Sequence, residues 1–384
     1  LLCGHVGRWG AGLNPLRGQN NVQGGGDMGA IPNKLPGFQD VERDAAARAR
    51  FESAWDCAIP PRYGWHLTQM FDAMERGDLR ALYVLGENPA QSEADVHRTR
   101  RLLAGLDHLV VQDIVLTRTA ELAHVVLPSS ASWCESDGTV TNSERRVQRA
   151  RAALRPPGDA RDDRWILTEI ARRLGADWPH QEAEEVWDEL RSLSPMHAGM
   201  RYDRLEGRGL QWPCPDEEHP GSPFLHARLW AEPLEGPPAP LSVVHHEGPV
   251  EELDDDFPLR LTTGRRLESY NTGVQTGLYR SPLHLGEAIC LSPEDAASLG
   301  VEAGEVVRVS SRRGEVEAPV RIDPALRPGL AFMTLHFPDQ VDTNVLTIDA
   351  TDPRSGTAEF KAAAIRVERI EPPEATGRAE QPLA

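Results

Sequence analysis

Arg17 stands in a run that offers chemistry before it offers structure: Gly12-Leu13-Asn14-Pro15-Leu16-Arg17-Gly18-Gln19-Asn20-Asn21-Val22-Gln23-Gly24, continuing Gly25-Gly26-Asp27-Met28-Gly29. A guanidinium grips a carboxylate through two parallel hydrogen bonds, a geometry lysine does not reproduce. Carboxamides at Gln19 and Asn20 in a permissive backbone suit a loop wrapped around a small polar ligand or anion. The plainer alternatives are a surface arginine bonded to a loop carbonyl, or a linker, although linkers favour Ser, Glu and Lys over paired carboxamides. With so much glycine, and Pro15 as a local block, the run is not expected to form a regular helix or strand.

Two further loops carry the same kind of chemistry. Thr262-Thr263-Gly264-Arg265-Arg266 leads to Tyr270-Asn271-Thr272-Gly273, where hydroxyls, a close-approach glycine and a guanidinium together make a phosphate cradle. Gly86-Glu87-Asn88-Pro89-Ala90-Gln91-Ser92 sits where a nucleotide would meet a sheet, and the carboxylate of Asp113 can accept two hydrogen bonds from a guanine edge. Each loop alone is more often turn chemistry; their co-occurrence favours a ligand. No nucleophile elbow, Walker loop, His-Glu-x-x-His or Gly-x-Gly-x-x-Gly motif is present. His245-His246 lies in a proline-rich stretch and reads as a solvated pair. The five cysteines, none closer than Cys3 and Cys57, have no zinc or cluster spacing, so no metal ligand is assigned and reduced thiols are expected.

The elements that must hold these loops follow from periodicity. Leu67, Met70, Phe71 and Met74 share a helical face, stopped by Gly77-Asp78. Leu79 to Leu85, Leu109 to Leu116 and His124 to Leu127 read as strands, with a helix from Ser92 and Asp95 through Leu103 between the first two. Strands separated by helices predict an α/β, doubly wound parallel sheet, and ligands then sit at the strands' carboxyl ends, here Gly86-Glu87-Asn88 and Gln112-Asp113. Residues 133–160 are polar and basic, with a turn at Asp137-Gly138. Arg164 to Leu174 and Glu182 to Leu193 predict helices with apolar faces around Trp165 and Trp187. After a proline-rich, acidic linker (232–258), Leu259 to Thr262, Ala288 to Leu291, Val306 to Val309, Val316 to Ile322 and Leu330 to Leu335 are short strands. With a hairpin at Arg313-Gly314 and a helix Pro293 to Leu299, they predict a small barrel.

Composition narrows the classes. A chain of 384 residues suggests two or three domains. Its 41 basic against 59 acidic residues leave a net charge of −18, which disfavours nucleic acid as a partner while leaving room for a small phosphorylated ligand. No apolar run reaches the roughly 18 residues of a membrane span. Residues 1–30 lack the form of a signal peptide, so the cytoplasm is the expected location.

The Arg17 run, with Asp27-Met28-Gly29-Ala30, resembles the formate dehydrogenase branch of the molybdopterin oxidoreductases. The resemblance continues through Gly86-Glu87-Asn88-Pro89, Gln112-Asp113-Ile114, Asp137 to Gln148, Tyr202 to Glu206 and Gly209 to Pro213. From Thr262 to Arg369 it is similar to that family's dinucleotide-binding barrel, here expected as a small six-stranded β-barrel, and includes His336-Phe337, Asn344 to Thr347 and Glu359-Phe360-Lys361. The resemblance implies formate oxidation to carbon dioxide at molybdenum or tungsten carried by two pterin guanine dinucleotides. Arg17 would orient formate, with Gln19 near it. Gly86, Glu87, Asn88, Ser92 and Asp113 would contact a guanine nucleotide. Thr263, Gly264, Arg265, Tyr270, Asn271, Asn344, Phe360 and Lys361 would belong to the barrel segments that close over the cofactors.

It further implies these domains: residues 1–20 ending a preceding substrate and cofactor domain, 21–250 the α/β domain, 257–372 the barrel and 373–384 a tail. Residues 133–160 would pack on an iron–sulfur domain. The family's [4Fe–4S] cysteines and its Cys-His or selenocysteine-His metal ligand have no match, since Gly4 intervenes between Cys3 and His5, and the chain opens without methionine. It is therefore expected to be the carboxyl-terminal portion of a catalytic subunit, inactive alone. An NAD-linked partner subunit with flavin and iron–sulfur clusters is the expected electron acceptor. Gly25-Gly26, where larger residues are usual, is expected to loosen the Arg17 loop. Two other readings stand: an oxidoreductase for another small substrate such as nitrate, which the Arg17-Gly18-Gln19 context disfavours, and a catalytically dead cofactor-binding scaffold.

Overall fold

The computed structural model describes residues 2–230, 232, 236–237, 240–273 and 285–370. The expected tail at 373–384, the end of the expected barrel segment (371–372) and part of the proline-rich stretch lie outside the described residues.

The first elements are α1 (Val22–Asp27), β1 (Lys34–Leu35), β2 (Gln39–Asp40), α2 (Ala45–Trp55) and α3 (Leu67–Arg76). α1 corrects the expectation that the glycine run stays irregular and loose. Its backbone closes from Gly25 N to Asn21 O at 2.9 Å and from Met28 N to Gly24 O at 2.9 Å. Glycine at position 24 makes room for a neighbouring side chain. A Cβ at Gly24 would lie 1.9 Å from Asn21 Oδ1, the atom that accepts from Thr141 N at 2.9 Å. Of the predicted face of α3, Phe71 and Met74 are buried, Met70 is half-buried and Leu67, at the first position, is exposed; Ala73 is buried as well, and Gly77, at φ +77°, ends the helix.

Next come β3 (Ala81–Leu85), α4 (Pro89–Ser92), α5 (Val96–Ala104), β4 (His108–Asp113), α6 (Arg118–Glu121) and β5 (Val125–Pro128). The strands form a parallel sheet in the order β3-β4-β5, as alternation of strand and helix requires. Asp95 caps α5 by accepting from Arg98 N, and Phe71, Met74, Val84, Leu103, Leu109 and Val111 pack as one core.

The polar stretch that follows is a sheet, β6 (Gly138–Thr141), β7 (Arg146–Ala150) and β8 (Leu210–Gln211). Its turn lies at 142–145, not at Asp137-Gly138. Asn142 Oδ1 accepts from both Glu144 N and Arg146 N, an Asx turn that outcompetes the Asp-Gly signal. Two helices lie within this part of the chain, α7 (Asp163–Arg173) and α8 (Ala183–Leu193). Trp187 is buried and donates to Met200 O at 2.6 Å. Trp165 corrects the expectation of an apolar core around it: it is 42% exposed, stacked on His180 with the Arg161 guanidinium over its ring.

The chain ends in β9 (Leu259–Gly264), β10 (Ile289–Leu291), α9 (Pro293–Leu299), β11 (Val306–Ser310), β12 (Glu315–Ile322), β13 (Leu330–Thr334) and β14 (Ala363–Arg369). They close a barrel in the order β10-β12-β11-β14-β9-β13. Leu261, Ile289, Leu291, Val307, Val309, Met333 and Ile365 fill it. Five strands were legible in the sequence. β14 was not, because it opens on Ala363-Ala364, which carry little β preference. Pairing with β9 and β11 makes it the strand that closes the barrel.

Two compact units result, and they do not follow chain order. Residues 1–67, 112–114 and 127–245 form one; residues 68–111, 115–126 and 246–384 form the other. Most of the parallel sheet therefore belongs with the barrel. No helix among the described residues is long and apolar enough to cross a membrane.

Candidate functional site

In the barrel unit the end of β9 is stitched to the segment before β14. Thr263 Oγ1 donates to Phe360 O at 2.8 Å, and Lys361 Nζ donates to Thr263 O. Gly264 allows this because a Cβ there would come within 2.8 Å of the Phe332 ring. Arg265 is exposed next to it. Burial and then the Arg265 guanidinium push the Lys361 ammonium below its ordinary pKa. Two cations thus stand near each other, an arrangement that an anion would relieve.

Residues 266–273 are held by His336, which sequence reasoning noted only inside the resemblance. Its Nε2 accepts from Arg266 N at 2.7 Å, so the ring is neutral with its proton on Nδ1, which donates to Asn271 O at 2.6 Å. Burial lowers its pKa in the same sense. Asn271 is left-handed at φ +48°, and its Oδ1 is buried with no partner among the described residues. Tyr270 is 40% exposed.

A chain of carboxamides ties the Gly86–Ser92 loop into the same unit. Gly86 turns the chain at φ +64° after β3, Glu87 is exposed and Asn88 is buried. Asn88 Oδ1 accepts from Thr119 Oγ1 at 2.7 Å, and its Nδ2 donates to Gln91 Oε1 at 2.9 Å. Gln91 Nε2 donates to Thr272 O at 3.0 Å, while Asn344 Nδ2 donates to Gln91 O at 2.9 Å. The side chains of Asn88 and Asn344 therefore position the loops by bonding to the protein. Gln91, unremarked in the sequence beyond its place in the motif, is the hub. Ser92 N bonds Asn88 O, and burial followed by repulsion from Glu87 raises Glu93 to about 7.

In the other unit Asp113 O accepts from Ser129 N at 3.0 Å, and its Oδ1 accepts from Ile114 N at 2.7 Å. The hydroxyl of Ser130, next to Ser129, is buried with no partner among the described residues. Arg17 is exposed, with Nη2 donating to Gln23 Oε1 at 3.2 Å; Gln19 is exposed as well. Gln23 and Asp27 were missed as participants because their spacing of four matters only on a helix, which the glycine run was not expected to form.

The barrel loops suit a ligand with phosphates and a polar heterocycle: two cations for the anion and an unpartnered Asn271 oxygen for a donor. Among the described residues no His, Cys, Asp and Glu side chains gather into a metal site.

Known proteins match this picture. Residues 1–173 match the family described as molybdopterin oxidoreductase, and residues 259–364 match the molydopterin dinucleotide binding domain. "F420-dependent formate dehydrogenase 2 subunit alpha" of Methanococcus maripaludis is 43% identical over 376 residues, covering 96% of this chain and 54% of that protein. "Formate dehydrogenase H" of Escherichia coli is 34% identical, with 96% and 52% covered. The chain thus spans about half the length of the curated relatives it matches. Among solved structures, acetylene hydratase from Pelobacter acetylenicus shares the fold at a TM-score of 0.57 and 19% identity, over 79% of this chain and 46% of that one. With a molybdopterin oxidoreductase segment joined to the dinucleotide-binding barrel, the chain belongs to the molybdopterin oxidoreductase family.

Proposed function

We propose that this chain corresponds to the carboxyl-terminal part of a formate dehydrogenase catalytic subunit, which oxidises formate to carbon dioxide, releasing a proton and two electrons. The observation that carries this reading is Arg17, an exposed guanidinium anchored by Gln23 in a run resembling the formate branch. Relatives named as formate dehydrogenases match 96% of the chain and support it. A molybdenum or tungsten centre bound by two pterin guanine dinucleotides would supply the redox chemistry. Arg265 and Lys361 would hold nucleotide phosphates, with Thr263 and Phe360 fixing their strand ends and Gly264 keeping the approach open. Asn271 would offer its buried oxygen to the ligand, with Tyr270 beside it. The Gly86, Glu87, Asn88 and Ser92 loop and Asp113 would contact guanine, with Asn344 holding that loop. Arg17 would bind formate, with Gln19 in reach.

The whole protein would add a [4Fe–4S] cluster, on whose domain residues 133–160 would pack; without it the chain would not turn over. We place domains at 1–20, 21–250 and 257–372, with a tail at 373–384, and the enzyme in the cytoplasm. A partner subunit would take the electrons. Three relatives are named F420-dependent, which favours that acceptor over the NAD expected from the sequence. In the full-length protein, Arg17→Lys should lower kcat/KM in formate-dependent dye reduction by roughly 10- to 100-fold, the loss of one charged hydrogen bond. An unchanged value would sink the reading, and a purified protein without molybdenum, tungsten or pterin would leave the scaffold. Reduction of F420 but not NAD by the complex is the expected acceptor result.

A further inference from the structure

Asp27 is buried to zero exposure although nothing in the proposed chemistry uses it. Both carboxylate oxygens are engaged. Oδ1 accepts from Gln23 Nε2 at 2.8 Å, and Oδ2 accepts from the Trp212 indole N–H at 2.7 Å. Gln23 in turn presents Oε1 to the Arg17 guanidinium at 3.2 Å. One orientation of the Gln23 amide satisfies both neighbours, with its NH2 toward a carboxylate and its oxygen toward a cation. A flipped amide would point N–H groups at Arg17.

We propose that Asp27 is the positioning residue for Arg17, acting through Gln23 and braced by Trp212, so that the carboxylate dictates where the substrate-binding guanidinium is held. The assignment rests on the reading of Arg17 as the formate-binding group. The arrangement has a polarity: Arg17 donates to Gln23, Gln23 donates to Asp27, and Trp212 donates to Asp27. An ionised carboxylate, which only accepts, enforces it; a protonated one could donate to Gln23 and permit the flip.

The groups acting on Asp27 make that change accessible near neutrality. Burial raises its pKa to about 6, while Gln23, Trp212 and the Arg17 charge pull the other way. Arg145 lies over the Trp212 ring at 5.3 Å, and Lys34, over the Phe38 ring that packs on Gly26 of α1, adds a further cation on that side. In the full-length enzyme, formate KM should therefore rise as pH falls below about 6, while formate itself stays ionised.

Two measurements test this. In steady-state assays Asp27→Asn should raise formate KM about tenfold with a much smaller change in kcat, because an amide cannot accept from both Gln23 and Trp212. Gln23→Glu combined with Asp27→Asn should restore KM. In that pair the carboxylate introduced at position 23 accepts from Arg17 and from the amide introduced at position 27. The oxygen of that amide accepts from Trp212, so every bond is remade. A role confined to folding would lower the melting temperature of Asp27→Asn without moving KM, and that result overturns the proposal.

The second readout does not depend on turnover. With 5-fluorotryptophan incorporated and the Trp212 resonance assigned by Trp212→Phe, its 19F shift should titrate near pH 6 and stop titrating in Asp27→Asn. In Arg17→Gln the midpoint should move upward, since a cation that favours the carboxylate is gone. A midpoint unaffected by Arg17→Gln refutes the coupling. If instead the midpoint moves while Arg17→Lys leaves formate KM untouched, the relay stands and the assignment of Arg17 to formate fails.

Discussion

Asn344 offers the sharpest test of how the barrel unit is held together. Its side chain is 2% exposed, donates from Nδ2 to Gln91 O at 2.9 Å, and accepts at Oδ1 from Thr347 Oγ1 at 3.1 Å. Asn344→Ala leaves Gln91 O unpaired in a place water does not freely reach, and leaves the Thr347 hydroxyl only the Asn344 carbonyl, 3.3 Å away, as acceptor. The unpaired carbonyl costs about 1–3 kcal/mol and the weakened Thr347 bond about 1 kcal/mol, so a net loss of about 2–4 kcal/mol follows. For a unit of this size that is a fall of roughly 5–12 °C in melting temperature. Asn344→Asp should be worse than alanine, because it sets a carboxylate oxygen against the Gln91 carbonyl. Thr347→Val, which loses one of the two bonds, should fall between alanine and wild type. Thermal unfolding followed by circular dichroism on the three variants checks the order. A melting temperature for Asn344→Ala within about 1 °C of wild type would refute the reasoning, since the carboxamide chain would then carry no load.

Other groups make separable predictions. Glu251 is buried, accepting from Arg312, from both amino groups of Arg313 and from Ala364 N at 2.8 Å. Burial raises its pKa, yet the bonds from Arg313, Ala364 and Arg312 outweigh it and leave the carboxyl below its ordinary value. A depressed folded pKa means the stabilisation is complete above the unfolded carboxyl pKa and is lost as pH falls through the folded one. Glu251→Gln should therefore cost about 2–4 kcal/mol in urea unfolding at pH 7, at the lower part of the range for a broken buried pair because Arg312 is partly exposed. The difference between variant and wild type should shrink in acid; a gap that persists unchanged at pH 3 contradicts the assignment. Gly24→Ala should displace the Asn21 side chain from Thr141 N and cost about 1–3 kcal/mol, with most of that loss absent when Asn21 is already alanine. Additive losses in the double variant would show that the two residues do not share one constraint.

Much of the fold was legible along the chain. α3, the parallel strands, α9 and five barrel strands follow from apolar periods and turn residues, because each element needs only its own sequence to show which face is apolar. What escaped was structure whose cause lies elsewhere in the chain. β14 is a strand because β9 and β11 flank it, and Gly24 within α1 leaves room for the Asn21 side chain, which is held by Thr141 far along the chain.

The candidate site divides along the same line. Residue types alone singled out Arg17, Arg265 and Asn271, since guanidinium and carboxamide chemistry is carried by the side chain itself, whereas Lys361 entered only through the family resemblance. Which polar atoms remain available was decided by tertiary structure. Asn88 and Asn344 are bound to Thr119, Gln91 and Thr347, whereas the oxygen of Asn271 has no partner among the described residues. A hydrogen bond consumes a donor and an acceptor that lie far apart in sequence, so the sequence determines what each group can do and only the folded chain decides which groups are already taken.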